Sequence, residues 1–194
     1  AKSGDDSRWY SGTGIYRDTK IIVAGFVHIA IDGVKITTPD LSNDRAVIAA
    51  ATVVENEGPN PRSVKVVTEI TDPEGTIVAS DRVPLTAFAG ESAVVRQRMY
   101  IRHPKLWNVS TPYLYQCRTR IMDGEQLLDE EITSFGIRSL SLDAEEGLRI
   151  NGEAVKLRGA CIHHDNGVIG AATIGRAEER RVEILKEAGF NAIR

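Results

Sequence analysis

The sequence predicts a mainly β fold, an immunoglobulin-like β-sandwich followed by the opening of a parallel α/β structure. Residues 21–138 contain seven short runs rich in Val, Ile and Thr, separated by turns that contain Gly or Pro. No helical pattern interrupts these runs, which is typical of a sandwich. A single helical pattern over residues 176–188 predicts a change of architecture towards the C-terminus.

The composition is that of a globular protein that can bury a core. Of the 194 residues, 42% are hydrophobic and 26% are charged, and the formal net charge is −3. This charge provides no basic surface for nucleic acids or anionic membranes. No run reaches the ~18 apolar residues of a membrane-spanning helix. We therefore predict neither a nucleic-acid partner nor a membrane partner.

The two ends of the chain suggest an internal segment of a longer protein. The chain begins Ala1-Lys2-Ser3-Gly4 without a Met or a signal-like pattern, and it ends inside an apolar run. The sequence leaves bacterial periplasmic, extracellular and cytoplasmic locations open. Within residues 1–20, Gly12-Thr13-Gly14 is not a phosphate-binding loop, because no helix-forming run follows it.

The sandwich strands are predicted from period-2 alternation and turn chemistry. Val64, Val66, Thr68 and Ile70, for example, fall on one face of a strand. The predicted strands are Ile21–Ile31, Arg45–Glu55, Val64–Ile70, Thr76–Val83, Ala93–Ile101, Tyr113–Ile121 and Leu127–Phe135. Pro112-Tyr113-Leu114-Tyr115 opens the sixth, where such domains hold a tyrosine whose hydroxyl ties a corner of the fold. We interpret Trp107 as a packing residue.

Beyond residue 139 the pattern changes to a hairpin, a strand and a helix. Asn151-Gly152 is a strong signal for a two-residue hairpin, because both positions need a positive φ. A strand is predicted over Arg158–His163 and a helix over Arg176–Ala188, with Gly189 placed to end it. Phe190–Arg194 begins another apolar run. One such unit opens a parallel α/β structure but cannot close a sheet.

The candidate functional residues lie in the polar segment His163-His164-Asp165-Asn166-Gly167. It follows a predicted strand, which is where active sites assemble in a (β/α)₈ barrel. The alternative is a polar loop that caps the next helix. Adjacent histidines on a strand point to opposite faces and do not easily share one ion, so we predict no metal there. We also predict no cofactor and no metal elsewhere in the chain.

Other candidate residues are interpreted as structural. His28 and His103 are single histidines in β context. Cys117 and Cys161 lack metal-ligand spacing, and we expect buried free thiols, with a disulfide as the alternative.

Four groups of residues, in order over nearly the whole chain, form a recognisable set. They are Ser7–Arg17; Pro104-Lys105-Leu106-Trp107 with Pro112-Tyr113-Leu114-Tyr115; Phe135-Gly136-Ile137-Arg138; and Asn151-Gly152, Leu157-Arg158-Gly159, His163-His164-Asp165 and Glu187–Arg194. This set resembles the family 2 glycoside hydrolases of the β-galactosidase type. The resemblance implies the end of a sugar-binding jelly-roll domain over 1–20, an immunoglobulin-like domain over 21–138 and the truncated start of a catalytic (β/α)₈ barrel over 139–194.

The same resemblance implies a function. It is that of a retaining exo-glycosidase that hydrolyses terminal β-galactosides, with two glutamates ~5 Å apart as nucleophile and acid/base. In the family both glutamates lie on later barrel strands, so we expect them beyond Arg194 and expect this chain alone to be inactive. By motif, His163 and Asp165 contact the sugar, and Arg194 lies near the nucleophile. His163-His164-Asp165 with Ile169-Gly170-Ala171-Ala172 resembles β-galactosidases more than β-glucuronidases or β-mannosidases.

Two further expectations follow from the sequence. A non-catalytic immunoglobulin-like module for adhesion or carbohydrate binding would explain residues 21–138 equally well, although it leaves the hairpin and the His-rich loop unexplained. The apolar residues of the tail lack a barrel to pack on. We therefore expect residues 159–194 either to be poorly ordered or to pack against another copy of the chain as a homo-oligomer.

Overall fold

The computed structural model describes residue 15 and residues 17–42, 44–163, 166 and 169–194. This part of the chain contains strands β1 (Val27–Leu41), β2 (Arg45–Asn56), β3 (Arg62–Thr71), β4 (Ile77–Ala87), β5 (Glu91–Arg102), β6 (Tyr115–Asp123), β7 (Gln126–Phe135), β8 (Leu140–Asp143), β9 (Gly147–Ile150), β10 (Glu153–Ala154), β11 (Gly159–Ala160) and β12 (Ala192–Ile193), and helix α1 (Gly175–Glu187). Val23–Val155 forms one compact unit, and Lys156–Arg194 belongs to another. The predicted mainly β fold is confirmed.

The first unit is a sandwich of two antiparallel sheets. One sheet has the strand order β1-β2-β5 and the other β4-β3-β6-β7. Alternate residues of each strand face the core. In β3, the four residues predicted to share one face, Val64, Val66, Thr68 and Ile70, are all buried. The period-2 pattern therefore identified the core face of this strand correctly.

The sandwich core consists of two apolar clusters with a polar belt between them. One cluster centres on Ile48, Ile70 and Met99, and the other on Val54, Val66 and Ile121. On four strands, a buried polar residue lies between members of the two clusters: Thr52, Thr68, Gln97 and Thr119. Within this belt, the Thr68 hydroxyl donates to Gln97 Oε1 at 2.6 Å. Alternation placed Thr68 on the buried face of β3, but it did not reveal that four polar residues form a belt, because polar residues in strands usually indicate a solvent face.

The first strand differs from its prediction. We expected Ile21–Ile31, whereas β1 spans Val27–Leu41. The strand passes through Asp32 and Gly33 as a bulge, because its register moves from Ile29 opposite Val54 to Val34 opposite Thr52. Asp32 takes a φ of 54°, a left-handed conformation that aspartate tolerates.

The corner tyrosine is confirmed and is Tyr115. Its hydroxyl accepts a hydrogen bond from the Lys105 backbone N–H at 3.0 Å, which ties the start of β6 to the preceding loop. Trp107 packs nearby, as expected. A Cβ on Gly136 would lie 2.8 Å from the Trp107 side chain, and the Arg138 guanidinium lies 4.6 Å from the centre of the Trp107 rings.

The predicted Asn-Gly hairpin is present and belongs to the first compact unit. Asn151 and Gly152 have φ values of 53° and 81°, as a type I′ turn requires. The Asn151 side chain accepts from the Ser139 N–H at 2.9 Å and donates to the Trp107 carbonyl at 2.9 Å. These hydrogen bonds attach the hairpin to the sandwich, and residues 139–155 lie in the same compact unit as the sandwich strands. The assignment of residues 139–155 to a barrel domain remains a prediction.

The second unit is a β–α–β arrangement. Strands β11 and β12 pair in parallel, with α1 between them in sequence. The helix lies within one residue of its prediction, and Gly189, at a φ of 87°, ends it. The Phe190 N–H donates to the Leu185 carbonyl, as in a Schellman motif. Of the strand predicted over Arg158–His163, only Gly159–Ala160 is regular.

The cysteine prediction is correct for Cys117 and wrong in part for Cys161. Both thiols are free, and Cys117 is buried, but Cys161 is exposed. Burial raises the pKa of the Cys117 thiol. In the described part of the chain, no helix has the length and hydrophobicity to span a membrane.

Candidate functional site

The candidate site is the edge at which the two parallel strands of the second unit end. We call it the strand-end site and define it as residues 161–163, Asn166 and Arg194. The Arg194 N–H donates to the Ala160 carbonyl at 3.0 Å, and the Ile162 N–H donates to the Arg194 carbonyl at 2.8 Å. These bonds continue the parallel ladder past β11 and β12. The backbones of His163 and Arg194 therefore end at the same edge of the sheet.

Local sequence explains why the two strands approach so closely. A Cβ on Gly159 would lie 3.0 Å from the Ala192 carbonyl oxygen, so glycine allows this pairing. The Asn191 side chain also binds the segment just before β11. Its Oδ1 accepts a hydrogen bond from the Arg158 N–H at 2.7 Å, and its Nδ2 donates to the Lys156 carbonyl at 3.1 Å. Hydrogen bonds from the backbone and from the Asn191 side-chain amide thus hold the last residues of the chain beside residues 156–160.

The structure describes two of the three predicted site residues. His163 and Arg194 are both exposed and lie at this edge. Asp165, together with His164 and Gly167, lies outside the described residues. The predicted end of a jelly-roll domain in residues 1–20 also lies mostly outside them, since residues 1–14 and 16 are not described.

Side chains from α1 hold the loop that follows the first strand. Arg181 donates to the His163 carbonyl at 2.9 Å and also contacts the side-chain oxygen of Asn166. Asn166 in turn donates to Glu178 Oε1 at 2.7 Å, and Arg181 lies 3.6 Å from the Glu178 carboxylate. This network fixes the path of the loop relative to the helix.

These contacts refine the alternative interpretation of the polar segment as a helix cap. The residue that caps the N-terminus of α1 is Ile174, and it makes no side-chain capping bond. Asn166 instead binds Glu178 in the first turn. The sequence pattern missed Arg181 and Glu178 because both look like ordinary charged residues of a solvated helix. The only available signal was their i, i+3 spacing on one helix face.

A cavity of about 630 Å³ opens beside the site within the second unit. Its walls include His163, Asn166, Arg180 and Arg181, together with apolar residues of the strand and helix. None of the described lining residues is acidic. A surface with imidazole, amide and guanidinium groups can donate hydrogen bonds to hydroxyl or carboxylate oxygens. Glu178 is engaged by Asn166 and Arg181, so its carboxylate supports the loop.

Comparison with known proteins identifies similar chains. The model of the family "Glycosyl hydrolases family 2" matches residues 27–138. The beta-galactosidase BoGH2A of Bacteroides ovatus is 42% identical over 189 residues, which are 97% of this chain and 22% of that protein. A beta-glucuronidase of Formosa agariphila is 27% identical over 191 residues, covering 93% of this chain and 20% of the relative.

A solved structure of a glycosyl hydrolase family 2 member from Bacteroides cellulosilyticus superposes on this chain with a TM-score of 0.92. The two sequences are 39% identical, and the match covers 98% of this chain and 26% of that one. The chain therefore spans about a fifth to a quarter of the length of these relatives.

Proposed function

The chain belongs to the glycosyl hydrolases of family 2, and on that premise we propose that it is a segment of a retaining exo-glycosidase that hydrolyses terminal β-galactosides. Similarity to a named beta-galactosidase at 42% identity supports the choice of sugar. The more distant beta-glucuronidase, at 27% identity, is the competing assignment. The substrate in this proposal is a β-linked galactoside of the whole protein.

The observation that carries the proposal is the parallel pairing of β11 and β12 across one helix. Parallel strands joined by a helix are the repeating unit of a (β/α)₈ barrel, and such barrels assemble their active sites at the carboxyl ends of the strands. His163 and Arg194 lie at that edge. In this proposal residues 139–194 begin the catalytic barrel. An independent adhesion or carbohydrate-binding module would give no reason for this unit.

Each site residue has a role in the proposed mechanism. The His163 imidazole and the Asp165 carboxylate form hydrogen bonds with hydroxyl groups of the sugar bound next to the scissile bond. The Arg194 guanidinium lies beside the nucleophile and favours its ionised form, because a nearby positive charge lowers the pKa of a carboxyl group. The role of Asp165 rests on its position in the motif alone.

The two catalytic glutamates lie beyond Arg194 in this proposal. A retaining enzyme needs two carboxyl groups about 5–5.5 Å apart, one as nucleophile and one as acid/base. Next to the strand-end site, the Glu178 carboxylate binds Asn166 and Arg181, so the proposal gives it a role in holding the loop. Arg194 would then act on a carboxylate from a later strand.

The test uses the whole protein and an aryl β-galactoside. We expect His163→Ala and Arg194→Ala each to lower kcat/KM at least ~10-fold, since a lost hydrogen bond to a charged group costs roughly 1.5–3 kcal/mol. His103→Ala is the control, because His103 is an exposed histidine of the sandwich, and it should keep wild-type kinetics. Wild-type kcat/KM in both site variants would refute these roles.

The choice of sugar and the location of the glutamates have separate tests. The whole protein should turn over aryl β-galactosides at least ~10-fold faster, in kcat/KM, than aryl β-glucuronides. The reverse order would reassign the substrate. The 194-residue chain alone should not hydrolyse either compound, and turnover that persists through repurification with the folded chain would show that it holds its own nucleophile.

A further inference from the structure

We propose that His28, Glu55 and Glu57 form a binding site for one divalent transition-metal ion of the Zn²⁺ type on the outer face of the sandwich. The three side chains offer one ligand atom each, and these atoms all lie within 4.8 Å of one another. No described group in the chain besides these three brings together as many candidate metal ligands. The proposal does not depend on the proposed glycosidase function. It replaces two expectations from the sequence, namely that His28 is only structural and that the chain binds no metal.

Strand pairing brings the three residues to one face. His28 of β1 lies directly opposite Glu55 of β2 in the antiparallel ladder. The Glu57 N–H donates to the Phe26 carbonyl at 2.8 Å, which continues this pairing beyond the end of β2. Because side chains alternate along a strand, Glu55 and Glu57 share the face that His28 occupies. Their neighbours Val27 and Asn56 face the core and are buried.

Hydrogen bonding selects the tautomer of His28 that suits a metal ligand. Its Nδ1 lies 3.0 Å from the Gly25 carbonyl oxygen. A carbonyl oxygen only accepts, so Nδ1 carries the hydrogen and the neutral ring has its lone pair on Nε2. That nitrogen lies 3.4 Å from Glu55 Oε2. Metal-binding histidines commonly donate their second N–H to a backbone carbonyl in this way, which fixes the ring.

The pair formed by His28 and Glu55 presents two electron-pair donors to one point. With Nδ1 as the donor, the lone pair on Nε2 faces a carboxylate oxygen 3.4 Å away, and a metal ion between them would accept electron pairs from both. Glu57 adds a second negative charge within reach. The His28 side chain is only 15% exposed, so solvent screens the arrangement less than it would a fully exposed pair.

Distance and ligand type favour a zinc-like ion. Two ligand atoms about 2.1 Å from a tetrahedral ion are separated by about 3.4 Å, which matches the Nε2–Oε2 distance of 3.4 Å. An imidazole with two carboxylates suits Zn²⁺, whereas Ca²⁺ and Mg²⁺ prefer oxygen ligands alone. Three protein ligands leave the fourth position of the ion for water.

Bound there, the ion would link the first two strands where the chain enters the sandwich. It would connect β1 to β2 through side chains, next to the point at which the backbone ladder begins. Metal binding to the folded form alone raises stability by mass action. The role inferred from the position is therefore structural.

The test is a Zn²⁺ titration of the metal-free chain by calorimetry, followed by thermal unfolding with and without Zn²⁺. We expect one ion per chain at this site and an unfolding midpoint several degrees higher once zinc exceeds Kd ~100-fold. His28→Gln and Glu57→Gln should each weaken binding at least ~10-fold and remove the rise in midpoint. Glu57 is exposed, so its variant tests binding even if His28→Gln fails to fold.

Two control variants distinguish zinc binding at this site from zinc binding by other histidines. His103 lies 3.9 Å from Asp44 with both side chains largely exposed, and His103→Gln should bind zinc as the wild type does. His163→Gln should do the same. Binding that survives both His28→Gln and Glu57→Gln, or no detectable binding of Zn²⁺ at ~1 mM, would overturn the proposal.

Discussion

The sandwich and the C-terminal unit bury their apolar residues to very different degrees. In the sandwich, both sheets contribute side chains that are fully buried, among them Ile48, Ile70 and Ile121. In α1, by contrast, no residue is buried, and Val182 and Ile184 are 44% and 46% exposed. The sandwich closes its own core, whereas the described β–α–β segment has the hydrogen bonds of its fold around a helix that buries none of its residues. Hydrogen bonding thus sets the path of the tail, and burial stabilises the sandwich.

The largest effect should come from removing apolar volume in the sandwich. Ile48→Ala should lower the free energy of unfolding by about 2–5 kcal/mol, because Ile48 is fully buried and a cavity remains. The matched change in the tail, Ile184→Ala, should cost less than about 1 kcal/mol. Urea unfolding followed by circular dichroism measures both. Equal losses would mean that the helix packs as tightly as the core.

A smaller effect should come from the polar belt. Thr68→Val removes the donor to Gln97 and should cost roughly 1–3 kcal/mol, because it leaves a buried amide without that partner. The control is Thr52→Val, since the Thr52 hydroxyl is buried and has no described partner. That variant should be neutral or slightly stabilising. A large loss in Thr52→Val would reveal a partner such as an ordered water.

A weaker, pH-dependent effect should come from the exposed cluster at the corner of the sandwich. The Tyr113 hydroxyl donates to Glu74 at 2.8 Å and Lys105 lies 3.2 Å away, and these bonds lower the pKa of Glu74 below its usual value. A lowered folded-state pKa stabilises the protein above the ordinary pKa of glutamate, and this contribution is lost as the pH falls through the folded pKa. Tyr113→Phe should therefore raise the pKa of Glu74.

NMR titration of the Glu74 side chain measures this change directly. The difference in unfolding midpoint between the wild type and Tyr113→Phe should be small near pH 7 and should vanish in acid. Lys65→Ala, a change elsewhere on the sandwich, should leave the titration of Glu74 as it is. An unchanged Glu74 titration in Tyr113→Phe would show that the hydroxyl does not act on this carboxyl group.

The smallest effect on the sandwich should come from deleting residues 159–194. The sandwich buries its strands against each other, so its β-sheet signal and unfolding midpoint should stay nearly unchanged. Light scattering should show less self-association, because exposed apolar residues of the tail are removed. If the deletion unfolds the sandwich, the tail is part of its core and the comparison fails.

Much of this fold was predictable because its signals are local. Alternation predicted six sandwich strands to within a few residues of their observed bounds. Turn chemistry predicted the Asn151-Gly152 hairpin, and helical spacing predicted the helix. The first strand was not, because Asp32-Gly33 reads as a turn in sequence and becomes a bulge only when β2 pairs on both sides of it. The backbone positions of His163 and Arg194 at the ends of two parallel strands were expected, since both strands had been recognised, whereas the roles of these residues stay a prediction.

The sequence by itself determined where the chain changes from alternating strands to a helix and which residues end the two parallel strands. Only the tertiary structure decided that Thr52, Thr68, Gln97 and Thr119 form a buried belt, that Asn166, Glu178 and Arg181 hold the loop, and that His28 meets Glu55 and Glu57. The physical reason is the range of the forces. Backbone preferences and side-chain periodicity act between near neighbours, whereas the partner of a polar side chain is set by which strands pair and in what register.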